Sequence, residues 1–122
     1  MANPNFFILY VNDPLASATF YTTLLGRPPV ESSPGFAMFA LDSGVMLGLW
    51  KRQEVLPVVD RFGAGSEVAF AVKDDAAVDA LHATWRDRRL PILQQPVRLD
   101  FGYTFVAEDP DGHRLRVFAA GA

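Results

Sequence analysis

The sequence predicts an α+β fold in which one order of elements, a strand, a helix and then three strands, is written twice. Three observations carry this: apolar runs of period two, two stretches of helical period that each follow a capping aspartate, and turn phrases at matching places in the two halves. The most informative stretch lies at the end, where Asp109-Pro110-Asp111-Gly112 feeds the run from His113 to Phe118. Pro110 fixes its own φ and Gly112 is free to take positive φ, so the last strand starts sharply. Successive side chains of a strand point to opposite faces, which puts Leu115 and Val117 on one side and Arg114, Arg116 and Phe118 on the other. A face with two arginines is not plain core; it meets solvent or lines a pocket.

In chain order, Phe6 to Val11 is a short run of aromatic and branched residues and reads as a strand. Asp13 caps a helix whose first position is Pro14; Leu15, Ala18, Thr19, Leu24 and Leu25 keep near-helical spacing and Gly26 stops it. After Arg27-Pro28-Pro29 come a short strand near Val30, a strand over Phe36 to Leu41, a turn at Asp42-Ser43-Gly44 and a strand from Val45 to Trp50. Lys51 to Ser66 lacks a sustained period and reads as the connection between halves. The order then repeats. Glu67 to Val72 is a strand, Asp74 or Asp75 caps, and Val78, Leu81 and Trp85 form the stripe of a helix ending at Arg86, Arg88 and Arg89. Ile92 to Leu99 is a strand that must bend or lie at an edge, because Pro96 has no N–H to give a ladder. Phe101 to Ala107 and His113 to Phe118 complete the set. Val11-Asn12-Asp13 aligns with Val72-Lys73-Asp74, and Ser43 to Leu47 with Asp111 to Leu115, which sets Trp50 opposite Phe118.

At 122 residues, half of them hydrophobic, the chain is expected to form one domain. Its net charge of −3, with eleven basic residues scattered along it, provides no basic stripe for nucleic acid or anionic membrane. The absence of cysteine excludes disulfides and thiolate chemistry. The Met1 to Pro4 start lacks the regions of a signal peptide and no apolar run reaches the ~20 residues of a membrane span, so a cytoplasmic protein is expected.

The element order, with Phe20-Tyr21 in the first helix, Leu24-Leu25-Gly26 at its end and the closing Asp109 to Gly112, resembles the vicinal oxygen chelate superfamily of glyoxalase I, extradiol dioxygenases and bleomycin resistance proteins. Leu9-Tyr10-Val11, Leu49-Trp50, Ser66-Glu67 and Asp109 to Val117 look most like phenazine antibiotic resistance proteins of its binding branch. The resemblance implies a single domain over residues 1–122, with a first βαβββ module at about 4–51, a connection at 52–66 and a second module at about 67–120. Each module curls a mixed sheet into a cup with its helix outside. Alternation agrees, directing Phe6, Ile8, Tyr10, Met46, Gly48 and Trp50 inward in the first module and Glu67, Ala69, Ala71, Arg114, Arg116 and Phe118 inward in the second. A homodimer is also implied. The apolar residues Val55, Leu56, Val58, Val59 and Phe62 of the connection would cover a partner or rim the cavity.

Catalytic members of the superfamily hold a divalent metal with His and Glu or Gln at four inward positions. By resemblance these fall on Phe6, Gly48, Glu67 and Arg116. Only Glu67 offers a donor, and Arg116 stays cationic, so no metal or other cofactor is expected and a glyoxalase or dioxygenase reaction looks lost. His82 and His113 are read as packing or surface residues. Glu67 and Arg116, inward on strands of one module, are expected to form an ion pair where the metal would have been, with solvent exposure of Arg116 the alternative.

The residues set out for ligand are Trp50, Tyr10, Phe6, Met46, Glu67, Arg114, Arg116, Phe118 and Tyr103. Trp50 leads as a broad, stiff stacking surface. Phe39 and Phe101 are lesser candidates, and either arginine suits a ligand carboxylate. The expected function is metal-independent binding or sequestration of a small planar aromatic compound, of the phenazine antibiotic kind. A metal-dependent lyase or dioxygenase and a non-catalytic structural module are the alternatives.

Overall fold

A computed structural model of the chain describes residues 2–61 and 65–121. The chain divides into two compact units, residues 1–62 and 63–122, each an α+β layer of one helix on one four-stranded mixed sheet.

The first unit runs β1 (Phe6–Val11), α1 (Pro14–Leu25), β2 (Glu31–Ser32), β3 (Phe36–Ala40) and β4 (Met46–Lys51), with strand order β1-β4-β3-β2. Asp13 caps α1, its carboxylate accepting from the backbone N–H groups of Leu15 and Ala16, with Pro14 at the first position. β1 lies parallel to β4, in the register Phe6 to Met46, Ile8 to Gly48 and Tyr10 to Trp50. Leu47 and Leu49 pack toward the helix side with Val11, Phe39 and Tyr21, all buried. Tyr21 meets Phe39 edge-on at 6.5 Å. This is the face assignment that alternation predicts, except that Phe7 is left exposed at the start of β1.

The second unit repeats the order: β5 (Glu67–Ala71), α2 (Asp75–Asp87), β6 (Ile92–Leu99), β7 (Gly102–Glu108) and β8 (Arg114–Ala120), arranged β5-β8-β7-β6. Asp74 is the cap of α2, accepting from the Ala77 N–H. Trp85 anchors this core, edge-on to Phe70 at 5.6 Å and to Phe105 at 5.4 Å, above the buried Leu115 and Val117. As Pro96 requires, β6 lies at the sheet edge, and its ladder with β7 shifts register between Ile92 and Gln94 and again between Gln94 and Val97. Gly112 takes φ +86 in the turn before β8.

After β4, still within the first unit, a 3₁₀ turn spans Arg52–Glu54. Val55 is buried, whereas Leu56 and Val58 are 73% and 77% exposed, so Val55 is a packing residue and does not share the role expected for its neighbours. Phe62, grouped with them in the sequence, lies outside the described residues.

Candidate functional site

In each unit the sheet face turned away from the helix carries the residues of interest. In the first unit, register places Phe6, Ile8 and Tyr10 of β1 beside Met46, Gly48 and Trp50 of β4, which in turn neighbour Ala40, Met38 and Phe36 of β3. None of these side chains is charged. Trp50 has Tyr10 on one side, edge-on with ring centroids 6.4 Å apart, and Phe36 on the other. Gly48 sits at the middle of the face for a steric reason: a Cβ there would lie 2.9 Å from Phe6 Cε1 and 3.0 Å from Phe36 Cζ. Its missing side chain lets two rings close over the strand. Phe6 and Tyr10 are each 40% exposed and Ile8 43%, so this is an aromatic surface with open area.

In the second unit, β5 and β8 align Glu67 with Arg114, Ala69 with Arg116 and Ala71 with Phe118. β7 adds Thr104 beside Phe118, Val106 beside Arg116 and Glu108 beside Arg114. The ion pair expected from the sequence is present: Arg116 Nε donates to Glu67 Oε1 at 2.5 Å. Arg116 Nη1 also donates to Thr104 Oγ1 at 3.2 Å, and its guanidinium carbon stands 5.6 Å from the Phe101 ring centre. Phe101 meets Phe118 edge-on at 6.0 Å. Arg114 is exposed, with no ion pair among the described residues.

Tyr103 lies elsewhere. Its hydroxyl donates to Asp79 Oδ1 of α2 at 2.8 Å, and its ring lies 5.3 Å from the Arg98 guanidinium carbon, which itself pairs with Asp75 of α2. It therefore points to the helix side with Phe105, away from Arg116. The Asp79 carboxylate, as hydrogen-bond acceptor and as charge, favours the protonated phenol and raises its pKa above 10.0. Phe39 is likewise core, fully buried in the first unit. Phe101, by contrast, joins Arg116. Thr104, Phe36 and Met38 were not singled out from the sequence. The signal for Thr104 is its register partner Phe118; a lone threonine in a strand has no other.

The four positions on which the resemblance would place a metal do not fit one here. Phe6 and Gly48 present carbon only, and the Glu67 carboxylate is bound by the permanent cation Arg116. Ligating-type atoms of Asp109, Asp111 and His113 also lie within 4.8 Å of one another, but Asp109 is committed to the turn. Its Oδ1 accepts from the N–H groups of Asp111 at 2.9 Å and His113 at 2.8 Å, and its Oδ2 meets His113 Nδ1 at 2.8 Å. That hydrogen bond, helped by the charges of Asp109 and Asp111 and opposed by burial, raises the His113 pKa above 6.5. His82 packs edge-on against Phe105 at 5.3 Å. A cavity of about 470 Å³ opens in the second unit where Lys73, Asp75, Arg98 and Ala120 meet, and it includes none of the residues set out for ligand.

Two βαβββ units, each with a helix on one face of a four-stranded mixed sheet, define a glyoxalase-type fold. Residues 3–117 match the model of the Glyoxalase/Bleomycin resistance protein/Dioxygenase superfamily, and the chain belongs to that superfamily. Among individual proteins, it is 28% identical over 118 residues to the phenazine antibiotic resistance protein EhpR of Enterobacter agglomerans, covering 93% of this chain and 89% of that one. A protein of Agrobacterium tumefaciens, solved in solution by NMR, is 52% identical with TM-score 0.91 over 100% of both chains. A lactoylglutathione lyase from the same organism shares the fold at TM-score 0.75 and 23% identity, covering 98% of this chain and 94% of that one. No described helix is long and apolar enough to cross a membrane.

Proposed function

We propose that this protein binds a small planar aromatic compound, without a metal, and that by sequestering an antibiotic of the phenazine kind it confers resistance. One observation carries the reading: the charge-free aromatic face of the first unit, where Trp50 stands between Tyr10 and Phe36 and the gap at Gly48 draws Phe6 and Phe36 together. Such a surface takes a flat ring by stacking and burial, at ~0.5–1.5 kcal/mol per aromatic pair beyond the area term. Similarity to a phenazine antibiotic resistance protein supports the ligand class. Phe6, Tyr10, Met46 and Trp50 are the apolar contacts in this reading, and in the second unit, taken by itself, Glu67, Arg114, Arg116 and Phe118 are the proposed ligand residues.

The reading extends to a cytoplasmic homodimer, supported by the exposed Leu56 and Val58; sedimentation velocity on the full chain tests the dimer. For the ligand, tryptophan fluorescence is titrated with planar heteroaromatics. Trp85 is buried in the second core, 2% exposed, which leaves Trp50 as the responsive residue. Saturable quenching in metal-free protein that Trp50→Ala abolishes is the expected result. No binding, with stoichiometric divalent metal in the purified protein, rejects the reading in favour of an enzyme.

A further inference from the structure

We propose that Arg116 is a carboxylate anchor, and that the planar ligand is therefore a monoanionic aromatic acid. This deepens the function proposed above and rests on it. Arg116 points from β8 to the face opposite α2, with 18% of its side chain exposed. Three contacts hold it: Glu67 on Nε, Thr104 on Nη1 and the Phe101 ring over the guanidinium plane. Thr104 can only accept from Arg116, because its own hydroxyl donates to the Val117 carbonyl at 2.8 Å. The orientation of the guanidinium is thus set from three sides before any ligand arrives, which removes much of the ordering cost of using a long side chain in binding.

A guanidinium has five N–H donors in a fixed fork. Here Glu67 and Thr104 use one each. Among the described residues nothing accepts from Nη2 or from the second Nη1 donor, which leaves donors of the guanidinium fork for a carboxylate, the group that this fork recognises. Phe101, 46% exposed, and Phe118 stand edge-on to each other beside it, so an aromatic ring attached to that carboxylate meets aromatic carbon. Glu67 sets the charge limit. Its carboxylate remains on Nε, so a second negative charge on the ligand is repelled, and a monoanion suits these donors better than a phosphate dianion. Arg114, on the same face and without an ion pair among the described residues, adds a second cation, with Glu108 as its register partner on β7.

Phenazine-1-carboxylate and phenazine-1-carboxamide share shape and differ in charge, so calorimetric titration of the full chain with each reads the anchor as a ratio of affinities. The expected ratio favours the acid by about tenfold or more, the scale of a charge-assisted hydrogen bond, and declines with added salt. Arg116→Lys keeps the cation and loses the fork, and the ratio is expected to fall to within about threefold. Thr104→Val keeps the Glu67–Arg116 pair and frees one side of the guanidinium; it is expected to lower the ratio severalfold and serves where Arg116→Lys does not fold. A wild-type ratio near one, or a ratio unchanged in both variants, overturns the anchor while leaving the planar-ligand reading standing. Absence of binding by either probe overturns both.

Discussion

Glu67 stands directly beside Arg114 in the parallel ladder, yet its carboxylate is bound by Arg116, one pair further along the same face. The diagonal choice has a local cause: Arg116 is also drawn inward by Thr104 and Phe101, whereas no side chain among the described residues pairs with Arg114 over the sheet.

The energy of this pair should lie between the usual limits. Exposed ion pairs contribute ~0.2–1 kcal/mol, and stranding one member of a buried pair costs ~3–5 kcal/mol. With Arg116 18% and Glu67 32% exposed, Glu67→Gln and Arg116→Met are each expected to cost about 1–2 kcal/mol in urea unfolding. The double variant should be milder than the sum by about 1 kcal/mol. Strict additivity would show that the two groups do not act together.

The turn before β8 brings a pH dependence of definite sign. The folded pKa of His113 lies above its ordinary 6.5, chiefly through the Asp109 hydrogen bond. A group whose pKa is raised on folding contributes stability that is complete below the unfolded value and is lost as pH climbs through the folded one. The melting temperature is therefore expected to decline from about pH 6 upward through the folded pKa, and His113→Gln should lack this part of the decline. An NMR titration of His113 that gives a value below 6.5 would contradict the Asp109 contact.

Two glycines should respond in opposite degree. A Cβ at Gly102 would lie 2.9 Å from the Ala119 carbonyl carbon and 3.0 Å from Ala120 Cα, backbone atoms of the neighbouring strand, at φ +147. Gly102→Ala is expected to cost about 3 kcal/mol or more, because neither the strand nor the dihedral can yield cheaply. At Gly48 the nearest atoms are the ring ends of Phe6 and Phe36, which can swing aside. Gly48→Ala should cost about 1–2 kcal/mol and show itself more clearly as altered near-ultraviolet dichroism and weaker planar-ligand binding.

Tyr103→Phe removes a hydroxyl that meets Asp79 on the helix side. Ligand affinity should be unchanged within about twofold, a difference of about 0.4 kcal/mol. A marked loss would place Tyr103 back among the ligand contacts.

The period-two signal is clear in β8, and there the sequence suffices: Leu115 with Val117 against Arg116 fall where alternation assigns them, as do Leu47 with Leu49 against Trp50 in β4, whereas β1 is apolar at every position and its Phe7 stays exposed. The Glu67–Arg116 pair was legible for the same reason, since opposite charges at inward places on adjacent strands have few other partners. β7 was harder to read. Every residue from Thr104 to Ala107 is buried, so hydropathy alternates little along it, and only pairing with Arg98 and Phe118 reveals that Tyr103 and Thr104 face opposite ways. The role of Gly48 was hidden because the two rings that meet over it come from strands β1 and β3, distant in sequence.

In both units the first strand joins the last in parallel, β1 with β4 and β5 with β8. Each helix and two intervening strands must therefore be spanned before the sheet can close, which makes the decisive contacts distant along the chain and slow to form. On a ribosome β1 waits, with Phe6, Ile8 and Tyr10 unpaired, until residues up to Lys51 have emerged; β5 waits in turn for Ala120. A stop codon ahead of Arg114 would deprive β5 and β7 of the strand they share, leaving two open edges and the Trp85 core uncovered. Such a nascent product is a substrate for chaperones and proteases rather than a shortened protein with partial function.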